Sequence, residues 1–305
     1  MIPSTLLAID AGGTKTDLLW AQPDGRVLAH VQGQGINIAS KPPGAWQEAL
    51  EELFRQAGVD RETVHVVCAG AAGYTLPDRR ALFEHLLQQM LPGARVLVLA
   101  DYAIALEGAT GGNPGVLVIA GTGSIACGRD REGKLMRVGG WGYLLGDEGS
   151  GFWIGREAIR AVLAATEGWG EQTRLYEMLS ETLGSADCGE WLSALYRTQN
   201  PQSLLAQLAP HVTEAAEQGD TPAQRILLHA ADHLAGLVTR LTQHLHLPED
   251  FPVCTVGGVW QSQAVLRRFH QQLGERLLHW QGEVKPPMYS PVEGALLIAQ
   301  RMMWA

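Results

Sequence analysis

Two aspartates stand where apolar segments of this 305-residue chain end, and both have the chemistry of a transfer site. Asp10 closes the run TLLAID, and Asp101 closes the run RVLVLAD. A carboxylate at a strand end can accept a proton from an attacking hydroxyl, the role that fits Asp101, or face Mg²⁺ on nucleotide phosphates, the role that fits Asp10. Structural roles also fit, a turn cap for Asp10 and a helix N-cap for Asp101, so the residue type leaves both interpretations open.

Glycine-rich corners follow three apolar segments, and each is a candidate anion site. They are Gly12-Gly13, Gly121-Thr122-Gly123 and Gly257-Gly258. Glycine lets successive backbone N–H groups converge on an anion and leaves room for a phosphate, to which Thr14 and Thr122 add hydroxyl donors. The Walker pattern fails because Thr14 separates Gly13 from Lys15, and the dinucleotide pattern fails because a hairpin follows the second corner. The corners predict a nucleotide held by more than one loop.

The segment GGWGYLLGDEGS, residues 139–150, has the composition of a sugar site. Trp141, Asp147 and Glu148 lie among glycines, and a flat aromatic ring beside carboxylates suits the apolar face and the hydroxyls of a sugar. Ser150 also fits a helix cap, with Glu148 as a first-turn charge. Asn37 is a turn residue by type, although its amide can also bind hydroxyls.

A strand, a glycine corner and a hairpin occur in the same order twice along the chain. Thr5–Ile9 is apolar and precedes the first corner, and a turn at Pro23-Asp24-Gly25 joins the next two strands. The segment GVLVIAGTGSIACGRDREGKLMRVGG repeats this order with its turn at Glu132-Gly133. Two unrelated glycine turns could look alike by chance, but the shared order favours an internal duplication.

Helices are predicted from apolar spacing around and after these segments. They cover 44–57, about Pro77–Met90, a short stretch from Tyr102, most of 151–246, about Val259–Leu273, and a last helix that Pro291 begins. We therefore predict two α/β domains, 1–114 and 115–290, the second with a helical insertion. The C-terminal helix, about 291–305, is expected to pack back on the first domain.

Composition excludes several classes of function. The chain has 46% hydrophobic and 18% charged residues and a net charge of −9, which argues against a broad surface for nucleic acid or an anionic membrane. Its first residues lack the basic and long apolar segments of a signal peptide, and no run suits a membrane span. The four cysteines form no CxxC pair and are expected as reduced thiols in a cytoplasmic protein.

Taken together, these motifs resemble the actin-like ATPase superfamily of sugar kinases. More narrowly, the chain resembles the N-acetylglucosamine kinase branch of the family that includes the activating ATPases of benzoyl-CoA reductase. DAGGTKT is similar to the first phosphate motif, AGTGS to the second, VGGVWQS to the adenosine motif, and GGWGYLLGDEGS to a signature of N-acetylglucosamine kinases. The resemblance implies an α/β fold of two duplicated ribonuclease-H-like lobes that close on substrate in the cleft between them.

The resemblance also implies a role for each matching residue. The phosphates of ATP would be lined by Gly12, Gly13, Thr14, Lys15, Gly121, Thr122 and Gly123, and adenosine by Gly257, Gly258 and Trp260. Asp10 would lie near Mg²⁺, and Asp101 would act as base on the sugar, which Asn37, Gly140, Trp141 and Asp147 would also contact. Ala11 stands where a third glycine is common. The zinc-binding cysteine cluster of the other bacterial glucokinase-type family is missing, and Cys127 and Cys188 lack the pattern of the iron–sulfur activators.

The expected activity is ATP-dependent phosphorylation of the 6-hydroxyl of N-acetylglucosamine in amino sugar metabolism. A kinase for glucosamine or another hexose is the first alternative, since one acetyl group separates these substrates. A non-kinase ATPase module, acting as an enzyme activator or a sugar sensor, is an alternative of a different class, although no DNA-binding segment of a sensor is evident. Met302, Met303 and Trp304 fit either a homodimer interface or core packing of the last helix.

Overall fold

The computed structural model describes residues 4–304, and the chain divides into two compact units. Unit 1 is formed by Met1–Asn113 and Pro287–Ala305, and unit 2 by Pro114–Pro286. Residues 1–3 and 305, at the outer bounds of the predicted domains, lie outside the described residues. Within residues 4–304, no helix is both long enough and apolar enough to cross a membrane.

Ten strands and eleven α-helices make up the described chain. The strands are β1 Thr5–Ala11, β2 Lys15–Ala21, β3 Val27–Gln34, β4 Val64–Ala71, β5 Arg95–Ala100, β6 Gly115–Ala120, β7 Ser124–Arg129, β8 Leu135–Gly139, β9 Val253–Val256 and β10 Val284–Lys285. The helices are α1 Pro43–Ala57, α2 Pro77–Met90, α3 Asp101–Thr110, α4 Gly151–Thr166, α5 Leu175–Leu183, α6 Cys188–Arg197, α7 Pro201–Ala206, α8 Ala209–Glu217, α9 Thr221–Thr242, α10 Gln263–Arg276 and α11 Pro291–Trp304. Short 3₁₀ helices occupy Arg61–Thr63 and Gly258–Gln261.

Each unit contains one five-stranded mixed sheet, and the two sheets have the same topology. The order is β3-β2-β1-β4-β5 in unit 1 and β8-β7-β6-β9-β10 in unit 2. In both, the first three strands in sequence pair antiparallel and the last two pair parallel to the rest. The predicted internal duplication is therefore confirmed, and in each unit a glycine corner joins the first two strands.

The sheet of unit 1 is covered on both faces, which explains why β1 is almost continuously apolar. One face packs against α1 and α2, and the other against α3 and the C-terminal helix α11. The two clusters include, respectively, Leu7, Ile9, Trp46 and Phe83, and Leu6, Ala8, Ile104 and Val292. Met302 and Met303 pack against the second cluster, whereas Trp304 is 77% exposed.

The core of unit 2 lies between its sheet and a set of helices from the insertion after β8. Val116 and Val118 of β6 join Ile159 and Val162 of α4 and Leu234 of α9 in one buried cluster. The predicted helix over Val259–Leu273 is wrong in detail, because Ser262 is extended (φ −74°, ψ 111°) and separates a 3₁₀ turn from α10.

Candidate functional site

The first glycine corner is a tight turn between β1 and β2. Ala11 pairs with Thr16 across the hairpin, and Gly13 and Thr14 are exposed between the strands. A Cβ on Gly12 would lie 2.8 Å from the carbonyl oxygen of Lys15. Only glycine therefore lets the backbone turn this closely, and the corner offers peptide groups rather than side chains to a ligand.

Acidic side chains converge beside this corner. Asp10 pairs with Asp17 across the β1–β2 hairpin, and Lys15 Nζ lies 2.9 Å from Asp17 Oδ2. Burial, then the charges of Asp101 and Asp17, raise the pKa of Asp10 to about 7, while Lys15 lowers it. Burial also opposes ionisation of Asp17, but hydrogen bonds from Lys15, Gln32 and His30 leave its pKa below the usual value. Burial of Asp10 and the negative charges beside it both oppose its ionisation, and a divalent cation would favour the ionised form, so this donor set fits Mg²⁺.

Asp101 lies at the same edge of the sheet as Asp10. The register that pairs Ala11 with Ala71 and Ala71 with Ala100 places Asp101 directly after β5. It is the first residue of α3, and its Oδ1 accepts the N–H of Tyr102 at 2.8 Å. The carboxylate thus stands at a strand end and a helix start at once, and its effect on the pKa of Asp10 shows that the two groups interact.

Asn37 has the turn role that its residue type predicts. Its Oδ1 accepts the N–H groups of Ala39 at 2.9 Å and Ser40 at 3.3 Å. Its Nδ2 lies toward the first corner, 3.9 Å from where a Cβ on Gly13 would be. The oxygen is therefore used within the protein, and the amide nitrogen lies on the side of the glycine corner.

The second corner, in unit 2, is fixed to the start of α4 by its own backbone. The N–H of Gly121 donates to the Gly123 oxygen at 3.0 Å, and the Gly121 oxygen accepts the N–H of Gly151 at 2.8 Å. Ser150 caps α4 by accepting the Trp153 N–H at 3.2 Å, which confirms its structural interpretation. A Cβ on Gly257 would lie 2.3 Å from the Ala120 oxygen, so the third corner packs directly on the second.

The buried carboxylate of Asp147 packs against the second corner. Its Oδ1 accepts the Ser124 N–H at 3.2 Å, and its Oδ2 lies 2.7 Å from where a Cβ on Gly123 would be. Asp147 is 5% exposed and, among residues 4–304, is the one non-glycine with positive φ (66°). Burial is the main cause that raises the pKa of its carboxyl, with Glu148 adding to it and the Ser124 N–H opposing it. Asp147 is therefore a buried carboxylate with positive φ, a combination that is frequent at functional sites.

A cavity of about 620 Å³ opens beside the second and third corners, entirely within unit 2. Its walls include Gly121, Thr122, Gly151, Ser203, Gln207, Thr213, Gly258 and Ser262. Ser262 is 3% exposed, and its Oγ has no hydrogen-bond partner within the protein. Trp260 lies beside this wall, but its ring packs edge-on against Phe269, with centroids 4.8 Å apart. The cavity has the size of a small-molecule site, and the unpartnered Ser262 hydroxyl is buried in its wall.

Trp141 presents an open aromatic surface in unit 2. The ring is 65% exposed, and the guanidinium of Arg137 lies 4.4 Å from its centroid. Arg137 is itself held by donating Nη1 to the Gly139 oxygen at 2.7 Å. Gly140 has a φ of 68°, and a Cβ there would lie 2.6 Å from Ile125 Cδ1. Arg137 and Ile125 therefore hold the turn at Gly139-Gly140 in place, and the Trp141 ring that follows it remains accessible to a ligand.

The comparison with protein families decides the relationship of this chain. The model of the BadF/BadG/BcrA/BcrD ATPase family matches residues 7–299. The chain belongs to this ATPase family.

Individual members are similar over most of their length. The N-acetylmuramic acid/N-acetylglucosamine kinase of Clostridium acetobutylicum is 32% identical over 257 residues, 83% of this chain and 84% of that protein. The N-acetyl-D-glucosamine kinase of Dictyostelium discoideum is 32% identical over 283 residues, 87% of this chain and 88% of that one. A crystal structure from Chromobacterium violaceum, provisionally named an N-acetylglucosamine kinase, aligns with a TM-score of 0.77 at 27% identity, covering 98% of this chain and 100% of that one. The resemblance drawn from the motifs and the duplicated two-lobed fold are confirmed.

One wall of the 620 Å³ cavity of this protein was not predicted from its sequence. Ser203 and Gln207 come from the helical insertion, and Gln202 Nε2 lies 3.4 Å from Asp147 Oδ2. No motif marks these residues, since only the packing of α7 on α4 brings them to the site. Ser262 had a signal, because it ends the adenosine-like motif VGGVWQS. Among residues 4–304, no three His, Cys, Asp or Glu side chains group as a metal cluster, so any cation would also need ligands from substrate.

Proposed function

We propose that this chain is an ATP-dependent kinase that phosphorylates the 6-hydroxyl of N-acetylglucosamine. The observation that carries the proposal is the carboxylate pair Asp10 and Asp101, which lies at one sheet edge beside a glycine corner. The substrate class is supported by the two relatives with 32% identity, whose names both include N-acetylglucosamine.

In this mechanism Asp101 accepts the proton of the 6-hydroxyl as the sugar oxygen attacks the γ-phosphorus. The bond from the γ-phosphorus to the β–γ bridging oxygen breaks, and its electron pair leaves with ADP. The first turn of α3 supports this role, because the Tyr102 N–H holds the Asp101 carboxylate in place. Asp10 would hold Mg²⁺, which when bound stabilises negative charge on the phosphates.

The glycine corners would bind the phosphates of ATP, in line with the motif resemblance. Gly12, Gly13 and Thr14 with Lys15 would act from unit 1, and Gly121, Thr122 and Gly123 from unit 2. Peptide N–H groups and hydroxyls suit this task, since they donate hydrogen bonds to the negatively charged oxygens of the transferred phosphoryl group. The pairing of Lys15 with Asp17 supports an electrostatic role for this lysine close to Asp10.

The 620 Å³ cavity would hold the adenosine part of ATP. Gly258 lines it and Gly257 packs beside it on Ala120, Ser262 would supply a hydroxyl to the nucleoside, and Trp260 would support this wall through its packing on Phe269. A buried hydroxyl without a partner in the protein costs free energy that a ligand hydrogen bond would recover. The cavity therefore supports nucleotide binding independently of the family relationship.

The sugar would be bound by Asn37, Gly140, Trp141 and Asp147 together with Asp101. The accessible ring of Trp141 suits the apolar face of a pyranose, and carboxylates and amides suit its hydroxyls. These residues all come from one chain, so the mechanism holds for a monomer or a homodimer. The proposal places the enzyme in the cytoplasm, where ATP is available.

The test is ADP release by the full chain with ATP, Mg²⁺ and a panel of sugars. We expect release with N-acetylglucosamine and none with its 6-deoxy analogue, which lacks the reacting hydroxyl. Faster release with glucosamine or glucose would move the proposal to the first alternative. Release that does not depend on sugar would contradict the kinase proposal and favour the ATPase module.

A further inference from the structure

Helix α7 contacts both the nucleotide cavity and the buried carboxylate of Asp147. Ser203 and Ala206 of this helix line the cavity, together with Gln207, which follows it. Gln202, next to Ser203 in sequence, instead directs its Nε2 to Asp147 Oδ2. One short helix of unit 2 therefore carries a residue for each of two proposed subsites.

Helix α7 packs against α4 with the two backbones in close contact. A Cβ on Gly155 would lie 1.9 Å from the carbonyl oxygen of Leu205, and one on Gly151 would lie 3.5 Å from the Ala206 oxygen. Asn200 caps the start of α7 by accepting the Ser203 N–H at 3.0 Å. Because α4 also begins at the second glycine corner, α7, α4 and that corner form one contiguous block.

The contact between Gln202 and Asp147 is long for a hydrogen bond. Its N···O distance of 3.4 Å exceeds the common range of about 2.7–3.2 Å. A shift of a few tenths of an ångström in α7 would bring it into range, and a ligand packed against Ser203 and Ala206 bears on that helix directly. The other Asp147 oxygen, Oδ1, already accepts the Ser124 N–H, and the Gln202 amide is directed at Oδ2.

We propose that Gln202 is a positioning residue that couples nucleotide occupancy of the cavity to the orientation of Asp147. This inference rests on the proposed function, in which Asp147 binds the sugar. Nucleotide against one side of α7 fixes the helix, the Gln202 amide then donates to Asp147 Oδ2, and the carboxylate is aligned for a sugar hydroxyl. Nucleotide and sugar should accordingly bind with positive cooperativity, which thermodynamic linkage makes reciprocal.

The experiment measures the affinity for N-acetylglucosamine by calorimetry with and without the non-hydrolysable analogue AMPPNP and Mg²⁺. In the wild type we expect AMPPNP to tighten sugar binding by about fivefold or more, the lower end of common coupling factors. Gln202→Ala should bring this factor close to one and raise the sugar KM severalfold, with a smaller change in the KM for ATP. Gln202→Glu preserves the shape but replaces the donor with a like charge, so it should weaken sugar binding more than Gln202→Ala does.

The matched control is Gln218→Ala. Gln218 is an exposed glutamine of the same insertion whose Nε2 lies 3.3 Å from Glu214 Oε1, so it repeats the contact away from the cavity. This variant should retain the wild-type coupling factor and KM values. A purely packing role for Gln202 predicts that Gln202→Glu behaves like the wild type, and that result would overturn the inference.

Different outcomes would contradict the proposed kinase activity and the coupling role of Gln202. If the wild type releases no ADP in response to any sugar, the proposed function is wrong and the coupling falls with it. If the wild type phosphorylates N-acetylglucosamine and Gln202→Ala retains its coupling factor and sugar KM, the inference alone is wrong.

Discussion

Gly155 is the residue at which the packing behind the proposed nucleotide site can be tested most directly. It lies inside α4, where alanine is normally the better helix former, so a solvent-exposed glycine here would gain stability on substitution. In this protein, however, a Cβ would lie 1.9 Å from the carbonyl oxygen of Leu205 and 3.3 Å from Leu208 Cβ. We expect Gly155→Ala to destabilise unit 2 and to displace α7 from α4.

The expected loss of stability follows from the displacement that one added methyl group requires. Real Cβ atoms essentially never approach another heavy atom within 3.0 Å, so the Leu205 carbonyl must move by about 1.1 Å or α4 must bend by as much. Overpacking of this kind costs about 1–3 kcal/mol of the free energy of unfolding. For a unit of this length, each kcal/mol lowers Tm by roughly 2–4 °C.

The displaced helix carries part of the cavity wall, so binding should change together with stability. We expect Gly155→Ala to raise the KM for ATP, because Ser203 and Ala206 move with α7. The assays are thermal unfolding with and without AMPPNP, and ADP release at varied ATP.

Gly274→Ala is the matched control for this substitution. Gly274 lies in α10, where a Cβ would meet nothing within 4 Å. Alanine there should leave the free energy of unfolding unchanged or raise it by up to about 1 kcal/mol, so Tm should stay the same or rise. If Gly155→Ala matched this control in both Tm and KM for ATP, the close approach of α7 to α4 would be refuted.

Three further substitutions test individual roles. Asp101→Asn should lower kcat by about a hundredfold or more with little change in the KM for ATP, since an amide cannot accept the proton; near-normal turnover would contradict the base assignment. Ser262→Ala should raise the KM for ATP severalfold without lowering Tm, because it removes a buried hydroxyl that has no partner in the protein; a wild-type KM would remove Ser262 from the site. Asp147→Asn keeps an acceptor for the Ser124 N–H and tolerates positive φ. Because the pKa of Asp147 is raised in the folded state, its stabilising contribution is present in acid and is lost as the pH rises above the ordinary aspartate value of about 3.9. The Tm of Asp147→Asn relative to the wild type should therefore increase as the pH rises from about 4, and a constant or falling difference in thermal unfolding would refute this.

Local patterns were sufficient for the elements that repeat or that carry strong end signals. Helix α2 begins and ends at the predicted Pro77 and Met90, because proline suits the first turn and the apolar spacing continues to the end. The order of strand, corner and hairpin indicated the duplication, since each feature depends on residues a few positions apart.

Features that depend on distant residues could not be predicted in this way. Gln202 meets Asp147 across 55 residues of sequence, and nothing in the local composition of α7 marks that contact. The predicted helix over Val259–Leu273 failed for a related reason. Val259 and Phe269 are both buried, so the apolar spacing continues through the break at Ser262, where only the backbone conformation changes. That break places Ser262 in the cavity wall, so the deviation from regular structure occurs where the proposed function needs it.

The two units contribute different chemistry to the proposed reaction, and this difference has a kinetic consequence. Unit 1 brings Asp10, Asp101 and the Lys15–Asp17 pair, whose charges respond to proton and phosphoryl transfer. Unit 2 brings a neutral cavity and the accessible ring of Trp141, whose contacts with the ligands would be the same before and after transfer. Interactions present equally in ground and transition states govern KM, whereas those that strengthen in the transition state govern kcat. Substitutions in the charged set of unit 1 should thus act mainly on kcat, and those in the cavity of unit 2 mainly on KM. Asp147 is the informative exception: it is a carboxylate within unit 2, and its effect should fall on the sugar KM if it binds a hydroxyl and on kcat if it acts on the transferred phosphoryl group through the second corner.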